Sequence, residues 1–242
     1  MSTSLASAAI AARTPSVPGS HTLSAGLLAG QFTLLWATFF ILSSAVGWPA
    51  SLDDPASIAL PRVLDNLGAI QLGYSAYLLA ALLLVPASAA LVVRLKLSRA
   101  AATLLIGLAV LSAIAKTIGI TRWLFAMPVL AEAFMTPGAD QGQISVVFDM
   151  LNAWAGGIGE IVGVGLLGGL WTIVAGSAVL ATREKFSNVI GWFAIVAGAA
   201  LFLTIPGGYG IDMGPALTAS NIVWQFSLLA MAIWASRRQH AA

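Results

Sequence analysis

The sequence predicts an all-α protein: a bundle of six membrane-spanning helices with both termini on the cytoplasmic side. Three observations predict it, namely an apolar composition, six stretches long enough to cross a bilayer, and basic residues gathered on alternate connections. Of 242 residues, 59% are hydrophobic and 8% charged, and the mean hydropathy of +0.94 lies well outside soluble composition. The net charge of +2 is the difference between 11 basic and 9 acidic residues, so the pI near 9.3 reflects a small surplus and does not point to nucleic acid. Nucleic acid is therefore not an expected partner. The absence of cysteine removes disulfides, thiolate metal sites, iron–sulfur clusters and cysteine nucleophiles. His21 and His240 sit in polar ends, so neither a bis-histidine haem nor a His-rich metal centre is expected, and no cofactor is assigned.

A helix needs about 20 apolar residues to cross roughly 30 Å of hydrocarbon. Six segments qualify, at 24–47, 67–93, 100–121, 150–182, 188–205 and 216–236, within one transmembrane domain over 23–236. The fourth is too long for a perpendicular span and is expected to tilt or project. Residues 1–22, rich in Ser, Ala and Pro, read as a disordered cytoplasmic tail and not as a cleaved signal peptide; 237–242 read as a second tail. Arg13, Arg94, Lys96, Arg99, Arg183, Lys185, Arg237 and Arg238 fall on one side of this topology. Only Arg62 and Arg122 fall on the other, beside Asp53, Asp54, Asp65, Glu132, Asp140, Asp149 and Asp212. Positive charge marks the cytoplasmic side, which places both termini inside. The stretch 122–132 is apolar but too short to span, and reads as a surface-lying or re-entrant helix. Trp48, Trp123 and Trp154 are expected at the outer headgroup level.

Two formal charges lie inside the spans. Glu160, in Gly156-Gly157-Ile158-Gly159-Glu160, sits roughly 9–12 Å below the outer end of its helix, and Lys116 roughly 6–9 Å below the outer end of the third span. One reading pairs them across neighbouring helices, because an unpaired intramembrane charge costs several kcal/mol. The other has Lys116 snorkelling to the headgroups while Glu160 carries its proton. The spacings Gly159/Gly163 and Gly165/Gly169 read as close helix packing, not as a phosphate cradle. Gln71, Tyr74 and Ser75 open the second span, and Asn221 and Gln225, four apart, open the sixth. With Lys116 and Glu160 they fall in the outer half, whereas Gln31 and Thr172 lie nearer the cytoplasm. This asymmetry predicts a polar pocket opening outward among the second, third, fourth and sixth spans; the competing reading makes each polar residue a helix–helix contact.

Other motifs carry less. The loop Pro206-Gly207-Gly208-Tyr209-Gly210 is superficially like a potassium-channel filter, but no room exists for a pore helix before it, so it reads as a turn. Asp53-Asp54 before Pro55 reads as a solvated turn. Arg122 has the chemistry to clamp a phosphate or carboxylate and otherwise anchors at the interface. No catalytic constellation or metal-ligand set is visible, so an enzyme is not expected.

Three stretches together resemble a known family. They are Arg62 through Tyr74, then Gly119-Ile120-Thr121-Arg122-Trp123 to Pro128-Val129-Leu130-Ala131, and Gly168-Gly169-Leu170-Trp171-Thr172 followed by Gly191-Trp192. Over roughly residues 25–235 the chain resembles the bacterial membrane family "domain of unknown function 4386". The resemblance implies a compact multi-span bacterial protein and supplies no catalytic residues. The expected place is a bacterial inner membrane, with the lipid bilayer as first partner. The expected function is non-catalytic binding of a partner protein or lipid. The alternative is a transporter or small-molecule receptor whose outward pocket is built from Glu160, Lys116, Gln71, Tyr74, Asn221, Gln225 and Arg122.

Overall fold

The computed structural model describes residues 19–211 and 213–237. Most of the expected N-terminal tail, and 238–242, lie outside the described residues; Ser20 to Thr22 already belong to the first helix. The helices are α1 (Ser20–Val46), α2 (Ala56–Asp65), α3 (Leu67–Leu95), α4 (Arg99–Met135), α5 (Gln141–Ala181), α6 (Ser187–Tyr209) and α7 (Gly214–Ala235). Among the described residues, all but α2 are long and apolar enough to cross a membrane, and α2 has only ten residues. The chain is a multi-pass membrane protein built from six such helices.

The six long helices form a closed ring in which each packs on the next and α7 returns to α1. Six helices around a centre leave a space that side chains must fill. In one half they do, with Leu28, Leu84, Leu91, Leu105, Trp171, Leu228 and Met231 fully buried against small residues such as Ala87, Ala109 and Ala175. That half carries Arg94, Lys96, Arg183, Lys185 and Arg237 and is here termed the basic end; the half carrying Asp53, Asp65, Glu132 and Asp149 is the acidic end. Trp171 Nε1 donates to Ser88 Oγ at 2.7 Å, and Ser88 in turn donates to the Leu84 carbonyl at 2.6 Å, so the buried indole is satisfied. Where α4 meets α5, a Cβ on Gly119 would lie 2.8 Å from Gly159 Cα, and where α5 meets α6, a Cβ on Gly169 would lie 2.7 Å from the Gly198 carbonyl. Glycine alone fits there, as the small-residue spacing in the fourth span leads one to expect.

Four expectations are corrected. The third span does not stop at 121 for a separate surface helix over 122–132. The helix continues through π-helical turns at Arg122–Ala126 to Met135, with Pro128 in the turn after them, where a missing N–H disrupts least. The fourth helix begins at Gln141, not near 150, and contains π-helical segments at Asn152–Gly156 and Ile158–Gly168. At 37 and 41 residues, α4 and α5 run about 55 and 60 Å and project beyond a hydrocarbon core of about 30 Å. Residues 136–140 join them, with Gly138 at φ 80° making the turn and Asp140 Oδ1 capping α5 by accepting from Gln143 N at 3.0 Å. The projecting ends pack with α2 into a cap at the acidic end, around Ala59, Leu60, Met127, Ala131, Phe134 and Phe148. Arg62 ties this cap down by donating to the Val46 carbonyl at 3.1 Å and pairing with Asp54, so the Asp53-Asp54 turn is partly held, not simply solvated. Finally, Trp123 is buried, not interfacial, and stacks on Tyr74; Trp154 is 62% exposed.

Candidate functional site

Large side chains fill the ring at the basic end, but at the acidic end the centre stays open as a cavity of about 140 Å³. This is below the roughly 300–1,000 Å³ of drug-sized sites, so it suits several waters or one small molecule. Trp224 of α7 forms its floor: the residue belongs to the packed core, lines the cavity, and donates from Nε1 to Thr172 Oγ1 at 2.9 Å. Half-buried Pro49 and Leu52 from the α1–α2 connection, with Leu217 and exposed Thr218 from α7, line its acidic-end rim.

Six of the seven residues singled out in the sequence line this space: Tyr74, Lys116, Arg122, Glu160, Asn221 and Gln225. Gln71 does not. It is exposed on the outward stripe of α3 with Leu72, Ser75 and Leu79, while Gly73 and Tyr74 are buried. The walls also include α1, through Leu35, Thr38 and Phe39, which the sequence reading left out of the pocket. Tyr77 and Trp224 were missed as well; each lies in an apolar run without a formal charge to mark it.

Of the two readings of these charges, the Lys116–Glu160 ion pair is not formed. Glu160 Oε1 instead accepts from Arg122 Nη2 at 3.4 Å, and among the described residues no carboxylate lies within ion-pair distance of Lys116. Helix direction explains the exchange. Side chains lean toward the N-terminus of their own helix. On α4 that direction is toward the basic end, and on antiparallel α5 it is toward the acidic end. Register is fixed by Gly156 facing Arg122, Gly159 facing Gly119 and Gly163 facing Lys116. From those levels Arg122 leans down while Glu160 leans up, so the two meet. Lys116 leans away, deeper, until its Nζ stands 4.9 Å from the centroid of the Trp224 ring.

The Arg122 site is built with little spare room. A Cβ on Gly156 would lie 2.5 Å from Arg122 Nη1, so glycine is what admits the guanidinium. Arg122 Cζ lies 5.7 Å from the Trp123 ring centroid, and Trp123 stacks on Tyr74 with centroids 5.4 Å apart and planes 2° from parallel. Arg122 is only 7% exposed, yet its Nε and Nη1 have no hydrogen-bond partner among the described residues. Among the described residues Gln225 Oε1 is likewise buried without a donor, while Asn221 Nδ2 is engaged with the Leu217 carbonyl at 3.0 Å. Glu160 keeps 49% of its side-chain surface uncovered, on the cavity side of the pair. The arrangement is therefore a small apolar-walled chamber with two buried cations, one half-open carboxylate and unsatisfied hydrogen-bonding groups. Among the described residues, no group of His, Cys, Asp and Glu is placed to hold a metal ion. Gly156, which seats Arg122, and Gly159, which meets Gly119, serve packing, and that packing positions the charges.

The model of the family described as "Domain of unknown function (DUF4386)" matches residues 25–235. No curated protein and no solved structure matches the chain. The match takes in the cavity-lining residues and nearly all of the six long helices, and the chain belongs to the DUF4386 family.

Proposed function

We propose that this protein is a non-catalytic membrane protein that binds a small molecule in the acidic-end cavity, as a receptor or carrier. The observation that carries the reading is Lys116: an amine 3% exposed, lining an open space, with an aromatic face as its neighbour and no carboxylate in pairing range among the described residues. A lysine kept solely for packing has no need of a cavity, and an unanswered buried charge is costly. The charge pattern supports both termini in the cytoplasm of a bacterial inner membrane, so that the cavity opens outward. Thr218→Cys labelled by a membrane-impermeant maleimide in intact cells, with Lys185→Cys unlabelled, is the outcome this orientation requires.

The test of binding is a thermal-shift screen of the purified protein against small metabolites and lipids, repeated with Glu160→Gln. Specific binding raises the unfolding temperature by mass action. If Glu160 couples proton movement to uptake, Glu160→Gln abolishes pH-dependent uptake in the fraction of the protein that still folds. If no small molecule shifts the wild type, the receptor or carrier reading fails.

A second reading, binding of a protein partner or lipid without use of the cavity, has its own support. Phe125 and Val129 on α4, and Val146, Met150 and Trp154 on α5, are 60% or more exposed on the projecting helices. Replacing Val146 and Met150 by serine should abolish co-purification of such a partner and leave ligand-induced shifts unchanged.

A further inference from the structure

We infer that the cavity takes a small monoanionic carboxylate with an apolar body, its carboxylate at Lys116 and its body against Trp224. This inference rests on the binding reading above and narrows it to a ligand class. Three charged residues line the space: Lys116 and Arg122 supply two positive charges and Glu160 one negative. Arg122 and Glu160 are already in contact, which leaves one positive charge to be answered. A monoanion answers it. A neutral ligand leaves Lys116 uncompensated, a cation adds a second unanswered charge, and a phosphate dianion overshoots. The site also supplies the donors that a carboxylate wants. Lys116 supplies them, with up to three N–H groups on a side chain 97% covered at the floor.

The walls set the rest of the ligand. Leu35, Ile120, Val164, Ile222 and the Trp224 ring are apolar, and Val164 and Trp224 also belong to the packed core, so the body they receive is aliphatic or aromatic, not sugar-like. The volume of about 140 Å³ holds a small acid whole, or the carboxylate end of a longer one whose chain leaves by the rim. Such carboxylates reach the site as soluble aromatic or short-chain acids, or as fatty acids released from lipid. Their shared feature is one carboxylate on an apolar body.

The test uses purified full-length protein in detergent with benzoate, hexanoate and laurate, each beside its own amide, and with benzylammonium. Intrinsic tryptophan fluorescence and unfolding temperature are followed together. At least one carboxylate should bind about tenfold more tightly than its amide, the scale of one charge-assisted hydrogen bond over a neutral one. Lys116→Met should erase that preference and Lys116→Arg should retain it. Benzoate and hexanoate binding without laurate identifies soluble acids as the source, and laurate alone identifies lipid-derived acids; either supports the assignment. Amides or benzylammonium binding as well as the carboxylates would overturn the ligand class and leave the binding reading intact. A folded Lys116→Met protein that keeps the carboxylate preference would also overturn it. Should Lys116→Met fail to fold, the wild-type comparison of acid with amide decides alone. If none of the probes binds, the inference is overturned, and only the broader metabolite screen above then bears on the binding reading.

Discussion

Arg122 Nη2 donates to Glu160 Oε1 at 3.4 Å, a single long contact between a guanidinium 6% exposed and a carboxylate 49% exposed. That asymmetry decides how the pair behaves. The carboxylate lines the cavity and can be solvated there, whereas the guanidinium is enclosed by Gly156 and Trp123 and depends on Glu160 for its charge balance. At this level α4 and α5 approach backbone to backbone at Gly119 and Gly159, with Lys116 leaning to one side of that contact and the Arg122–Glu160 pair lying on the other.

Removing Glu160 should therefore be worse than removing both partners. Glu160→Gln leaves a buried cation without a counter-charge and is expected to cost about 1–3 kcal/mol, reduced from the fully buried case because half of Glu160 is uncovered. Arg122→Met with Glu160→Gln should recover part of that loss. Unfolding curves in detergent for the two single variants and the double variant measure the coupling; strictly additive losses would mean the two residues do not interact.

Gly159→Ala should destabilise the bundle strongly, because its Cβ would lie 2.8 Å from Gly119 Cα, and neither backbone can withdraw without separating α4 from α5. Gly107→Ala is the matched control: nothing lies within 4 Å of the added methyl, and helix propensity favours alanine by up to about 1 kcal/mol. The expected pattern in thermal unfolding is a loss of several degrees for the first and no loss for the second.

The six spans were legible because hydropathy over 20 residues is a strong signal and every span carries it. The cap was not, because α2 is only ten residues long, and the ends of α4 and α5 read as connections. Arg122 marked a false boundary: a charge after an apolar run reads as the edge of the membrane, whereas here it is buried within a continuing helix. The site was half legible. Depth along the helix brought Lys116, Glu160, Asn221 and Gln225 to one level, but depth alone does not say which way a long side chain leans. The lean of Cβ toward each helix's N-terminus, applied to antiparallel α4 and α5, is the signal that separates Lys116 from Glu160 and joins Glu160 to Arg122. Gln71 was misplaced for the same kind of reason, since its stripe follows Ser75, not Tyr74.

At the basic end, Arg94 is 4% exposed and binds Glu184 through two hydrogen bonds, at 3.0 and 2.9 Å, with its guanidinium 4.5 Å from the Trp234 ring centroid. The cluster joins α3, the α5–α6 connection and α7. Arg94→Leu is expected to cost about 2–4 kcal/mol through the lost bidentate pair and ring contact, while Arg94→Lys, which lacks the planar fork, should recover only part of it. The readout is the midpoint of unfolding, with ligand-induced shifts at the distant acidic end left unchanged.

Water should reach the chamber whose floor is Trp224. The chain contains no cysteine, so Asn221→Cys on the cavity wall and Ala87→Cys in the packed core each give a protein with one thiol. Both are treated with the water-soluble reagent methanethiosulfonate ethylsulfonate in open membrane fragments that expose both faces. Rapid modification of Asn221→Cys with Ala87→Cys left intact is the predicted result; an Asn221→Cys thiol as inert as the one at position 87 would contradict it.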